Sequence, residues 1–367
     1  MGLLYVAGVR DLTAGQEKTI VRKHNGLIQS THLTHAFFSG LMTTQILKIL
    51  RFGCLAGSCW LMLHVADAKA QSDQDASSDQ PSLVRFELEK TRVTVYLQGE
   101  LFTRYHFADV TRPYLYPVIG PYGDSVTRHW PMKQVPGEQR DHVHHRSLWF
   151  AHGDVNGVDF WSEGQKSGKI VHREFVKMER GMLQAHNEWI GPQDKRVCTD
   201  TRTLRFTPLE DGQWYLDFEV TIHASDGPLR LGDTKEGTMA IRLSPELRLK
   251  GPHAKGRILN AQGQRDGACW GKRAAWVDYR GALNGKQVGV AIFDHSDNLR
   301  HPTWWHVRDY GLFAANPFGV HDFESKPEGT GDVMLREGQS LTLRYRFYFH
   351  RDVLDADELQ KHFEQYK

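Results

Sequence analysis

The run Asp141-His142-Val143-His144-His145-Arg146-Ser147-Leu148-Trp149, followed by His152, Asp154, Asp159 and Trp161, crowds imidazoles, carboxylates, an arginine and two indoles together. Histidines that titrate near neutrality beside carboxylates are what proton transfer or metal binding requires. Tryptophan offers a flat apolar face with an N–H at its edge, a surface on which a sugar ring stacks. If 141–147 is a strand, His142 and His144 point to one face and His145 to the other. That spacing makes His142 and His144 the candidate metal pair, and makes His145 either a further catalytic candidate or a histidine bonded to backbone. Arg146, Ser147 and Leu148 stand where a third, carboxylate ligand would be expected, so the leading reading of the cluster is acid–base chemistry without a cofactor.

A second rich stretch is His301-Pro302-Thr303-Trp304-Trp305-His306-Val307-Arg308-Asp309-Tyr310-Gly311, continuing to Asn316-Pro317-Phe318-Gly319. As strand neighbours two apart, Trp304, His306 and Arg308 share a face and supply an aromatic floor, a proton carrier and a charge clamp. The alternative is that Trp304 and Trp305 anchor a core and Arg308 pairs with Asp309.

Three shorter segments add polar groups. In Thr111-Arg112-Pro113-Tyr114-Leu115-Tyr116-Pro117 the prolines hold the chain extended, so Arg112 either clamps an anion or bridges loops, with Tyr116 beside it. Asp154 and Asp159 offer oxygens between Gly153 and Gly157, and Asx-turn capping is the plainer use of such residues. Gly232-Asp233-Thr234-Lys235-Glu236-Gly237 sets an amine beside a carboxylate between glycines; a solvated turn would look the same.

These segments need a scaffold that brings distant loops together, and the sequence between them is β almost throughout. Val84, Phe86 and Leu88 alternate with polar residues, as do Val93, Val95 and Leu97. Hairpins are expected for 170–179 with 182–190, for 201–207 with 214–222 across Asp211-Gly212, and for 275–279 with 288–293 across Asn284-Gly285. Residues 341–349 alternate as one more half-buried strand. Helix is expected only in the tail, where Asp355 and Glu358 form a capping box ahead of Leu359, Phe363 and Tyr366. Long Gly/Pro-rich connections are expected at 111–140, 150–168, 224–240 and 294–332, lengths that in a compact β domain point to function. The fold class is therefore all-β: a large antiparallel sandwich over 83–350 with a short C-terminal helix over 351–367.

The first eighty residues read differently. Lys48 and Arg51 precede an apolar stretch from Phe52 to Val65 and the small-x-small pattern Ala68-Lys69-Ala70, the signature of a signal peptide over 42–70. Residues 1–41 then stand as an upstream segment with Met42 as the expected start, and 71–82 as a flexible leader. The protein is accordingly expected to be exported, to the periplasm or beyond. Without residues 1–70, which hold 7 basic and 3 acidic residues, the 46 basic and 44 acidic residues of the chain become 39 and 41. A near-neutral body of this kind is a poor nucleic-acid partner. Cys198 and Cys269 stay in the exported part, where they could pair.

The segments Arg112–Pro121, Asp141–Trp149, Gly153–Trp161 and His301–Gly319 resemble a family of exported bacterial proteins labelled PmoA-like or "methane oxygenase". That family is grouped with the galactose-mutarotase-like β-supersandwiches, and the resemblance covers most of 83–350. It implies a large antiparallel sandwich that binds carbohydrate on its concave face. Mutarotases of that group pair a histidine acid with a glutamate base. By resemblance the histidine role falls to His144 or His306 and the glutamate role to Glu236, although no stretch here reproduces the glutamate motif. A membrane oxygenase subunit would need several apolar spans, and no run of eighteen apolar residues exists in this chain.

Three functions remain open from sequence. The first is a carbohydrate-active enzyme with His144 and His306 as proton carriers, aided by His142, His145 and Glu236. Its substrate contacts would come from Arg112, Tyr116, Trp149, Asp154, Asp159, Trp161, Lys235, Trp304, Arg308 and Asn316. The second is a glycan-binding protein without catalysis on the same loops. The third is a metal-dependent oxygenase centred on His142 and His144.

Overall fold

A computed structural model describes residues 83–367; the expectations for 1–41, 42–70 and 71–82 lie outside the described residues. The chain begins with strands β1 (Val84–Leu88), β2 (Arg92–Leu97), β3 (Glu100–His106), β4 (Tyr114–Val118), β5 (Leu148–His152) and β6 (Lys169–Glu179). It continues through β7 (Met182–Ile190), β8 (Arg196–Pro208), β9 (Trp214–His223), β10 (Leu229–Leu231), β11 (Gly237–Arg242) and β12 (Arg257–Asn260). Next come β13 (Trp276–Leu283), β14 (Lys286–Asp294), β15 (Trp304–Val307), β16 (Leu312–Asn316) and the short helix α1 (Val320–Glu324). The last elements are β17 (Val333–Leu335), β18 (Ser340–Arg351) and helix α2 (Ala356–Glu364).

Two eight-stranded antiparallel sheets carry the fold. The first has the order β1-β2-β3-β4-β5-β11-β16-β15, and the second β12-β13-β14-β18-β9-β8-β7-β6. Between them lies one apolar core in which Phe102 meets Phe349, Phe150 meets Trp189 and Tyr279 meets Phe313. The expected hairpins form: β6 with β7, β8 with β9 and β13 with β14. Asn284 and Gly285 both have positive φ, 48° and 81°, as their tight turn requires. The chain is an all-β sandwich.

Helix α2 forms where the capping box was read: Asp355 accepts from the Glu358 N–H, and Glu358 accepts from the Asp355 N–H. Its Leu359 and Phe363 bury against Trp276, Phe293 and Tyr348 on the outer face of the second sheet. The outer face of the first sheet is left to the loops that carry the candidate site.

Three features differ from the sequence reading. The long connections contain strands β4, β10, β11 and β16 and the one-turn helix α1, none of which was anticipated, beside β15, which forms where Trp304 and His306 were read as strand neighbours. In β5, β11, β15 and β16 every residue is buried, so the period-2 alternation that reveals a half-exposed strand is missing. Residues 141–147 form a turn rather than a strand, with positive φ at His142 (43°) and Ser147 (60°). Cys198 and Cys269 are both free and buried.

Candidate functional site

Register places the two histidine-rich segments on one face. His106 pairs with Tyr114, Tyr114 with Trp149, Trp149 with Ala240, Ala240 with Ala314, and Ala314 with His306. Cross-strand partners share a sheet face, so these six side chains form one row across the outside of the first sheet. Neighbouring strands are about 4.8 Å apart, which sets His306 on the order of 14 Å from Trp149, with only two methyl groups between them.

Above this row the turn 141–147 folds its imidazoles onto each other. The His142 ring stacks on His145 (4.6 Å between centroids) and on Tyr310 (5.2 Å), and His145 stacks in turn on Trp149 (5.4 Å). His144 stands edge-on to both neighbours, 5.7 Å from His142 and 4.5 Å from His145. The strand expectation set His145 apart from the other two; the turn brings all three together, because a positive φ at His142 reverses the chain there.

The histidines have different surroundings. His142 is 38 % exposed, and its Nδ1–H donates to Asp141 Oδ2 at 2.7 Å, leaving Nε2 without a partner among the described residues. His145 is buried, and its Nδ1 accepts from Arg242 Nη1 at 3.1 Å. Burial and the guanidinium of Arg242 push its pKa well down. His144 is half-buried, and burial together with Arg112 and His142 lowers it to about 4, so it is neutral at pH 7. His306 is 2 % exposed; its Nδ1–H donates to the Lys235 carbonyl at 2.8 Å, and burial holds it at about 4. Its Nε2 is buried with no partner among the described residues.

Asp141 is the electrostatic hub. It takes hydrogen bonds from Arg128 and from Arg242 Nη2 (3.3 Å). It lies well below the usual carboxylate range: burial opposes this, but the His142 hydrogen bond and the two guanidinium charges prevail. Arg242 has the opposite problem. It is fully buried, and burial with Arg128 close by lowers it to about 9, so it stays charged at neutral pH. Its guanidinium lies 4.5 Å from the Tyr310 ring centroid. Tyr310 is raised above its ordinary value by burial and remains a protonated phenol.

Arg308 extends the cluster outward. Its guanidinium sits 5.4 Å from the Tyr310 ring and 5.9 Å from the Trp270 ring. The Arg308–Asp309 pair of the alternative reading does not form; Asp309 pairs with Lys250 at 2.9 Å. Arg308 has no ion pair among the described residues. Trp270, Arg308 and Lys250 line an open cavity of about 580 Å³. At the other side Glu236 pairs with Lys235 Nζ (3.3 Å), which also approaches Asp322 (3.7 Å).

Several expected substrate contacts are instead structural. Trp149 and Trp161 are 0 % exposed and pack on each other at 5.1 Å, so neither offers a face to a sugar. Both indole N–H groups are nevertheless buried without partners among the described residues. Arg112 is buried and bridges loops, donating to the carbonyls of Trp161 (2.7 Å), Ser162 (3.2 Å) and His144 (3.4 Å). Asp159 caps the Trp161 and Ser162 N–H groups, an Asx-type turn. Asp154 pairs with Arg230 at 2.7 Å. Asn316 ties the Thr234 carbonyl to the Phe318 N–H. Trp304 is buried, donating to Glu324 at 2.9 Å. Tyr116 bonds His129 Nδ1 at 2.8 Å beside a separate cavity.

The residues that sequence reasoning missed are Tyr310, Trp270, Arg242, Arg128 and Asp141. Tyr310 and Asp141 lay inside the rich stretches; nothing local marked Arg242, which reaches the site through the pairing of β11 with β16, or Trp270, which follows the short turn Asp266–Cys269. As a metal site the cluster falls short. Among the described residues no group of three or more His, Cys, Asp and Glu can hold an ion. His142 and His144 alone do not supply the three protein ligands of a catalytic centre.

Comparison with known proteins places the chain. Residues 92–364 match DUF6807, a family of unknown function. The chain belongs to that family. No curated protein matches this DUF6807 chain. Among solved structures it is similar to a polysaccharide lyase at 12 % identity and TM-score 0.32, covering 77 % of this chain and 34 % of that one. The chain therefore spans about a third of that lyase. It is also similar to a GalM/aldose epimerase homologue from C. elegans, at 8 % identity and TM-score 0.31, covering 74 % of this chain and 100 % of that one. A galactose mutarotase related enzyme from Lactobacillus acidophilus matches at 10 % identity and TM-score 0.24, covering 74 % and 99 %.

Proposed function

We propose that this DUF6807 protein is an exported enzyme that acts on an acidic carbohydrate by histidine acid–base chemistry. The observation that carries the reading is the Asp141–His142 pair, stacked against the phenol of Tyr310 and continued by Arg308 to the Trp270 cavity. A carboxylate on Nδ1 fixes the imidazole tautomer and leaves Nε2 to exchange a proton with substrate. His144, neutral at pH 7, is a proton acceptor, and Tyr310 is a proton or hydrogen-bond donor. Trp270 supplies the stacking face that Trp149 and Trp161 do not, and Arg308, which makes no ion pair among the described residues although Asp309 and Asp266 line the same cavity, is the clamp for an anionic substituent. Hydrolysis, elimination and epimerisation share this chemistry: a proton is removed at one atom and one is delivered at another.

The test is turnover of neutral and uronic glycan fragments by the full chain, followed by product mass and NMR. Product formation on an acidic fragment that His142→Ala abolishes supports the reading. Fragments that bind and return unchanged support a second one, a glycan-binding protein without catalysis. A specific observation favours that second reading: His306, the expected partner proton carrier, is sealed beneath the Lys235 carbonyl.

A further inference from the structure

The outer face of the first sheet holds a second cavity beyond the turn 141–147. It measures about 810 Å³ and is lined on its charged positions by Arg92, Arg104, Lys133 and Arg146 against Asp109 and Asp124. Two of the four cations are already engaged, Arg92 with Glu89 at 2.7 Å and Arg146 with Glu163 at 2.6 Å. Arg104 is not. Its half-buried guanidinium makes no hydrogen bond or ion pair among the described residues, and its Nε is buried without an acceptor. Leaving a buried donor unpaired costs free energy, and a planar guanidinium is best satisfied by a planar or tetrahedral oxyanion bound through two oxygens. Lys133, exposed on the rim, has no ion pair among the described residues either. Tyr114, stacked on His106 at 4.9 Å, and Tyr116 add aromatic lining.

This cavity is joined to the candidate site by the chain itself. Arg146 lines it and lies two residues beyond His144, and Tyr114 is the strand neighbour of Trp149, on which His145 stacks. From β3, which carries Arg104, to β15, which leads into Arg308, there are five strand spacings, on the order of 24 Å. A monosaccharide or disaccharide reaches only one of the two cavities; an oligomer reaches both.

We infer that the substrate is an anionic polysaccharide, carrying carboxylate or sulfate groups, that lies across the sheet with one acidic residue at Arg104 and another at Arg308. The inference rests on the carbohydrate reading given above, and names its substrate as a polymer held at two anionic subsites.

Calorimetric titration of the full chain at low ionic strength tests it, with disaccharides and hexasaccharides of galacturonate as the carboxylate probe and of heparin as the sulfate probe. A neutral maltohexaose serves as control. The hexasaccharide of at least one acidic series binds about tenfold or more tightly than its disaccharide, because the second subsite engages intramolecularly. In Arg104→Gln that length advantage disappears and the two lengths bind alike; Lys133→Gln, at an exposed position that folding does not depend on, reduces it. The preference of one series over the other identifies the acidic group. A hexasaccharide that binds no better than the disaccharide, an unchanged advantage in both variants, or no binding by either acidic series overturns the inference. Binding needs no turnover: if His142→Ala leaves any product formation untouched while the length effect persists, the catalytic assignment fails and the two-subsite polymer site stands.

Discussion

Tyr310 and His142 stack with their ring planes 13° apart and their centroids 5.2 Å apart, although 168 positions separate them in the chain. The contact closes a path from the Asp141 carboxylate through His142 and Tyr310 to Arg308 and Trp270. Each member has a distinct task, so each substitution has a distinct expected outcome.

In the proposed chemistry Asp141 acts through His142, as a positioning residue. Asp141→Asn retains the shape but can present its amide N–H to Nδ1, favouring the wrong tautomer. Turnover is expected to fall on the order of a hundredfold with little change in KM, and the pH profile should alter with it. The same substitution removes the counter-charge from buried Arg242, so unfolding in urea should show a loss of about 2 kcal/mol. A variant with wild-type turnover and stability would contradict both roles.

Trp270 is assigned to stacking and Trp149 to packing. Trp270→Ala should raise Kd for an acidic fragment about fivefold or more, with no comparable loss of stability. Trp149→Phe should do the reverse: its indole N–H has no partner to lose, so the cost is the vacated volume, about 1–3 kcal/mol. Ligand affinity measured beside denaturant midpoints separates the two, and an exchange of these outcomes would refute the assignment.

Buried histidines make stability depend on pH. His144, His152 and His306 lie at about 4 in the folded protein, lowered chiefly by burial, against about 6.5 when unfolded. Between those values the unfolded chain binds more protons, so their contribution is complete above pH 6.5 and is lost as pH falls toward 4. The urea midpoint should therefore drop from pH 7 to pH 5, and His306→Gln should flatten the slope. An equal midpoint at pH 7 and 5 would show that these rings are already solvated.

What was legible in the sequence followed from local periodicity. The half-exposed strands β7 and β18, the Asn284-Gly285 turn and the capping box of α2 each announce themselves within a few residues. The site strands do not. With every residue of Leu148-Trp149-Phe150-Ala151-His152 buried, one face by the core and the other by loops, alternation vanishes and the segment reads as connection. The chemistry was legible as residue types but not as roles. Trp161 and Asn316 look like ligand contacts, and only the hydrogen-bond pattern shows Asn316 to be a loop tie, while burial removes Trp161 from reach. Arg242 enters the site through the pairing of β11 with β16, and Trp270 from the turn after Asp266–Cys269, contacts no local pattern encodes.

In the proposed chemistry His142 is the group that exchanges a proton with substrate. The most direct measurement is the turnover of an acidic glycan fragment by wild type, His142→Ala and His306→Ala at matched saturation. A loss of about a hundredfold or more is expected in His142→Ala, and a smaller loss in His306→Ala, whose ring is sealed and acts through the Lys235 loop. Turnover that survives in His142→Ala would contradict it.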